Sequence, residues 1–242
     1  MQQNQIIFLL KWYIEAEADE IIAKKPINRL KKNKDSSIKN NVNTSKLDSN
    51  EQVSEKLSNC KNLDEIKVFI ENFDGCPLKY TAKNLVFGTG NKNAKIMLIG
   101  EAPGAEEDIT GIPFTGQSGK LLDLMLKSIG LDRNELYITN IIPWRPPGNR
   151  TPNNVEIKTM LPFIKRQIEL VSPRLIILIG GIAANSILQK NEGITKIRGN
   201  WFNFEKIAVI PIFHPSYLLR NPSLKNLAWK DMLSIKNKIE KV

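Results

Sequence analysis

Four short apolar runs separated by helical stretches constrain this 242-residue chain more than any other feature of it. Ala94–Gly100, Leu136–Asn140, Leu175–Ile179 and Ile207–Phe213 have the length and content of buried strands. Residues 118–128, 154–171, 183–189 and 227–239 read as helices between and after them. Strands that alternate with helices imply a mainly parallel sheet covered on both faces. The expected fold is therefore α/β, built on a central four-stranded sheet. In such sheets ligands bind beyond the C-terminal ends of the strands.

The first part of the chain differs. Ile6, Leu9, Leu10, Tyr13 and Ile14 recur at helical spacing within residues 5–23, and Pro26 follows. Residues 31–60 are rich in Lys, Asn, Ser, Asp and Glu and hold few large apolar side chains. Such a stretch buries too little surface to offset its ordering entropy, so it reads as a flexible linker. The expected organisation is a helical segment over 1–30, a polar linker over 31–60 and a catalytic domain over 61–242. A short helix is expected from Leu63 to Asn72, with Ile66, Phe69 and Ile70 on one face. The N-terminal segment is either a partner-binding helix or a tolerated extension.

Composition narrows the class. No apolar run reaches the roughly 18–20 residues of a membrane span. The apolar patch Ile6–Leu10 lacks a basic flank and precedes four acids, unlike a signal peptide. The expected compartment is the cytoplasm. Two cysteines, Cys60 and Cys76, make neither a disulfide framework nor a four-ligand metal site. The net charge of +10 suits a polyanion such as nucleic acid, or simply a solvated lysine-rich surface.

The chemistry-bearing segments fall where the sheet would expose a ligand. Gly100-Glu101-Ala102-Pro103-Gly104 runs on to Glu106, Glu107 and Asp108. Its small residues permit close approach to the backbone. Its carboxylates and the missing Lys-Ser/Thr end exclude a phosphate loop. It suits a neutral ligand with a carboxylate beside a cationic transition state, or an acidic helix start. Phe114 lies in a loop flanked by Gly and Pro, ready to stack on a flat base or to fill the core. Asn140 ends the second strand, where its amide could read a pyrimidine edge or close a turn. His214, the only histidine, stands just past the fourth strand in His214-Pro215-Ser216-Tyr217-Leu218-Leu219-Arg220. Such a residue is either catalytic or structural.

Taken in series, these segments resemble the family 4 uracil-DNA glycosylases, which usually carry an iron–sulfur cluster. The matching stretches are Val86–Asn91, Gly100–Asp108, Gly111–Gly116, Tyr137–Asn140, Arg145–Arg150, Gln167–Leu170, Ile194–Gly199 and His214–Pro222. They cover about residues 73–240. The resemblance implies a three-layer αβα sandwich and a monomeric enzyme that flips uracil out of DNA to start base excision repair. It implies that Ala102 offers its backbone to uracil, Phe114 stacks on it and Asn140 reads its edge. His214 would stabilise negative charge on the leaving base. Glu107, with Glu101, would stabilise the sugar cation or position water. Leu218 would be the wedge that fills the gap in the stack. Arg145, Ser216 and Arg220 would contact phosphates. N-glycosidic cleavage asks for these groups, since positive charge grows on the sugar and negative charge on the base.

The sequence departs from the family at the cluster. Cys76 matches one ligand position, while Phe73, Trp144 and Met160 stand at the other three. None of these can supply a thiolate, so no metal and no cofactor are expected, and apolar packing is expected instead. Three other readings are weaker. Self-linking relatives carry an inserted basic loop with a histidine, whereas Arg145–Arg150 is short and has none. A nucleotide-binding module would leave His214 without a role. A serine hydrolase through Ser118 or Ser216 lacks the G-x-S-x-G elbow.

Overall fold

A computed structural model of the protein describes residues 53–240. The helical segment expected over 1–30 and most of the linker expected over 31–60 lie outside the described residues. The end of that linker departs from expectation. Residues 53–59 are helical, and Leu57 and Cys60 are buried in the main core. Composition averaged over 30 residues hid the few apolar side chains, Val53 and Leu57 with Cys60, that pack there.

The chain then forms α1 (Leu63–Glu71), β1 (Thr89–Gly90), β2 (Ile96–Gly100), α2 (Ala105–Thr110) and α3 (Gln117–Lys127). It continues through β3 (Tyr137–Asn140), α4 (Asn154–Val171), β4 (Leu175–Ile179), α5 (Gly181–Leu188) and α6 (Ile194–Ile197). It closes with β5 (Phe202–Phe204), β6 (Ile207–Ile212), α7 (Pro215–Arg220) and α8 (Lys225–Ile239).

The sheet order is β1-β3-β2-β4-β6-β5. The four expected strands form its parallel centre, β3-β2-β4-β6. The expected count of four is corrected to six, because β1 and β5 add antiparallel edges. Strands of two and three residues are too short to leave a periodic pattern in a sequence. All five positions of β2 and of β4 are buried, as strands covered on both faces should be.

Alternation along β2 shows the layers. Met97 and Ile99 enter one core with Ile66 of α1, Phe163 and Ile168 of α4, and Ala184 of α5. Ile96 and Leu98 enter the other with Leu122 and Leu126 of α3 and Ile235 of α8. The expected three-layer αβα sandwich is what these residues build. From β2 the chain turns to β3 on one side and β4 on the other. That reversal leaves a crevice at the C-terminal ends of the strands.

Candidate active site

A cleft of about 550 Å³ opens in this crevice. It is lined by Glu101 after β2, Asn140 at the end of β3, Gly180 after β4 and His214 after β6. Ala102, Glu107, Phe114, Ser216 and Arg220 line it as well. The register sets Gly100 beside Asn140. A Cβ on Gly100 would collide with both Asn140 Oδ1 and the Phe114 ring. The bare backbone at that position lets the two side chains converge.

Asn140 is buried, yet among the described residues its amide makes no hydrogen bond. Its donor and acceptor remain free for a ligand. The Phe114 ring stacks against His214, with centroids 5.8 Å apart and planes at 29°. Phe114 has a left-handed backbone, φ 55°. A bulky residue holds that conformation only when its surroundings enforce it.

His214 caps α7. Its Nδ1 accepts the Ser216 backbone N–H at 3.1 Å and lies 2.7 Å from Ser216 Oγ. A backbone N–H can only donate, so Nδ1 carries no proton. The neutral ring therefore holds its proton on Nε2, as a donor. Burial, with help from the Arg220 charge and against that of Glu107, lowers the imidazole pKa to about 4. His214 is a neutral donor at physiological pH.

The two carboxylates differ. Glu101 has no side-chain partner among the described residues, and burial raises its pKa above the usual carboxylate value. Glu107 is fully engaged. Its Oε2 accepts Gly104 N–H at 3.0 Å, and its Oε1 accepts the N–H groups of Thr115 and Gly116, each at 3.1 Å. A carboxylate bonded to three backbone donors is a brace between loops.

Three expected roles do not fit their positions. Leu218 is 1% exposed and packs with Phe213 and Ala228, so it does not project from the surface as a wedge would. Its neighbour Leu219 is 43% exposed on the same short helix. Ser216 directs its hydroxyl to His214 and is not free to donate to a phosphate. Arg145 turns to Asn149 at 2.8 Å and toward the buried Asp108 at 4.0 Å, which fixes the Pro-rich loop. Arg220 is exposed at the rim, as a phosphate contact requires. Sequence reasoning missed Arg150 and Tyr217, which also line the cleft. Arg150 pairs with Glu156 at 2.6 Å, an i,i+6 relation that no short motif signals.

Cys76 lies elsewhere, in the core with Trp144 and Met160, and Phe73 packs at the edge. The Phe73 and Phe163 rings are 5.0 Å apart. Burial pushes the Cys76 thiol pKa up, so the group is a neutral thiol. No set of three or more His, Cys, Asp or Glu side chains able to hold a metal occurs among the described residues. One protonated thiol among apolar side chains does not fit a cluster held by four thiolates.

Residues 87–233 match the Uracil DNA glycosylase superfamily. The chain belongs to that superfamily. It is 41% identical over 178 residues to the Type-4 uracil-DNA glycosylase of Thermotoga maritima, covering 71% of this chain and 92% of that protein. It is 40% identical to the Type-4 uracil-DNA glycosylase of Saccharolobus solfataricus, over 72% of this chain and 85% of the relative. The Pyrobaculum aerophilum Type-4 enzyme is 37% identical, over 70% and 91% respectively.

Proposed function

We propose that this protein is a uracil-DNA glycosylase that flips uracil out of DNA and hydrolyses its N-glycosidic bond, leaving an abasic site. The carrying observation is the Asn140 amide, which lines the cleft beside the Phe114 ring and has no hydrogen-bond partner among the described residues. An amide offers both a donor and an acceptor, as the edge of a pyrimidine does. Phe114 supplies the stacking surface, and the Ala102 backbone forms part of the wall.

The chemistry follows from the charges. As the bond between C1′ and N1 breaks, its electron pair goes to the base. The His214 Nε2–H then donates to the uracil O2, where much of that charge gathers. A neutral donor suits this role, because it stabilises the anion without first surrendering a proton. Positive charge grows on the sugar, and the free Glu101 carboxylate stabilises it. Water adds to C1′ and loses its proton to Glu101. The raised Glu101 pKa favours that proton transfer. Glu107 acts by bracing the loops.

Flipping costs a few kcal/mol of stacking and pairing. Arg220 offsets part of it through phosphate contact, and the exposed Leu219 is the wedge. Two free thiols support a reducing compartment, and we take the enzyme to be a cytoplasmic monomer. The reading includes no iron–sulfur cluster.

Oligonucleotides carrying one uracil, single-stranded and duplex, test this after alkaline scission of abasic sites. Sustained turnover on either is the expected result. The absence of scission at every enzyme concentration refutes the reading. A single hit per molecule points to a self-linking binder.

A further inference from the structure

We infer that Arg133 is a positioning residue for catalysis, which acts by holding the Phe114 loop in its left-handed conformation. The inference rests on the reading that Phe114 stacks on the flipped base. Arg133 opens a short 3-10 turn, Arg133–Glu135, just before β3. Its guanidinium reaches back to the loop before α3. Nη1 donates to the Phe114 carbonyl at 2.7 Å, and Nη2 donates to the Pro113 carbonyl. Asp123 of α3 anchors the same group at 3.0 Å.

The next two residues are held from another side. Their N–H groups donate to Glu107. Four successive residues, Pro113 to Gly116, therefore give two carbonyls to a cation and two amides to an anion. Gly119 completes the seat, since a Cβ there would collide with the Phe114 carbonyl. A phenylalanine at φ 55° does not hold this geometry by itself. The planar fork of arginine suits two neighbouring carbonyls in a way a lysine point charge does not. Small displacements of positioned groups are expensive in rate, and about 1 Å can cost on the order of 10²-fold.

The test compares Arg133→Met, Arg133→Lys, Phe114→Leu and the Phe114→Leu/Arg133→Met double variant on uracil-DNA. Arg133→Met should lower kcat by about 10-fold to 10²-fold and weaken inhibition by free uracil. KM for DNA should stay unchanged, because phosphate contacts dominate that affinity. Arg133→Lys should recover part of kcat. The double variant should be no slower than Phe114→Leu alone, since both changes disturb one ring. Wild-type kcat in Arg133→Met, with a clear loss in Phe114→Leu, overturns the clamp and leaves the stacking reading intact. Multiplying losses in the double variant also overturn it. A wild-type rate in Phe114→Leu removes the stacking reading and this proposal with it. If Arg133→Met does not fold, Arg133→Lys decides: reduced kcat at unchanged KM supports the clamp, and wild-type kcat overturns it.

Discussion

The cleft and the Cys76 corner belong to one domain but treat polar groups in opposite ways. In the cleft, buried or half-buried side chains keep free hydrogen-bonding capacity: the Asn140 amide, the His214 Nε2–H and the Glu101 carboxylate. In the corner, Cys76, Trp144 and Met160 are each 3% exposed or less, and the one thiol is neutral. Unfilled polar capacity costs stability and persists where a ligand later fills it. Filled apolar volume contributes stability and has no use for a ligand. On the proposed function, the corner supports the scaffold and the cleft carries the reaction. Changes in the cleft should act mainly on rate, and changes in the corner on stability alone.

The largest separation is expected between the catalytic side chains and the scaffold. Glu101→Gln and His214→Ala should each lower kcat by about 10²- to 10³-fold, the usual cost of removing one group that stabilises transition-state charge. Glu101→Gln should melt close to wild type, whereas His214→Ala also removes the cap of α7 and should cost about 1 kcal/mol of stability. Glu107→Gln should show both effects, with a smaller loss of rate, since the amide nitrogen cannot accept the Gly104 N–H. Steady-state kinetics alongside thermal melts reads both quantities. A Glu107 variant slower than the Glu101 variant at full stability would reverse the roles assigned to the two carboxylates.

The corner should show the converse. Met160→Ala removes a side chain 1% exposed in the main core and should cost about 3 kcal/mol of stability. Cys76→Ser puts a more polar hydroxyl into an apolar corner, with the Leu78 backbone as its hydrogen-bonding neighbour, and should cost about 2 kcal/mol. Neither should alter kcat, as measured by denaturant unfolding beside the uracil assay. Purified protein should contain no stoichiometric iron, and an iron chelator should change neither rate nor stability. A brown protein with about 4 Fe per chain, as four-thiolate clusters have, would break the comparison at its base.

The sequence made the centre of the sheet legible because fully buried strands leave uninterrupted apolar runs. Ile96–Gly100 and Leu175–Ile179 are such runs. It missed β1 and β5, which are too short to carry a period. The place of Asn140, Phe114 and His214 at the cleft was legible because Asn140 ends a strand, Phe114 sits in a glycine-flanked loop and His214 follows a strand. Leu218, expected as the wedge, faces the core, and the proposed wedge is its neighbour Leu219. Only the rotation of a six-residue helix decides that Leu218 faces the core and Leu219 the solvent. The Glu107 brace and the Arg133 clamp were illegible because their partners are backbone groups. A sequence does not advertise which N–H or carbonyl a side chain will meet.

The smallest expected difference lies in how the two regions respond to acid. His214 has a pKa of about 4 in the folded protein, against 6.5 in an unfolded chain. Between these values the unfolded chain takes up a proton that the folded protein refuses, so acid favours unfolding. The stabilisation is fully present above pH 6.5 and is lost progressively as the pH falls toward 4. By about pH 5.5 the loss should be about 1 kcal/mol. Other carboxylates titrate nearby, so the comparison is between wild type and His214→Asn, which lacks the group. The difference in their unfolding free energies should shrink by that amount between neutral pH and about 5.5, as read from urea titrations. Cys76, neutral throughout this range, should give no such difference between wild type and Cys76→Ser. A gap between wild type and His214→Asn that stays constant with pH would mean that the imidazole is not desolvated, and the neutral-donor reading of His214 would fail with it.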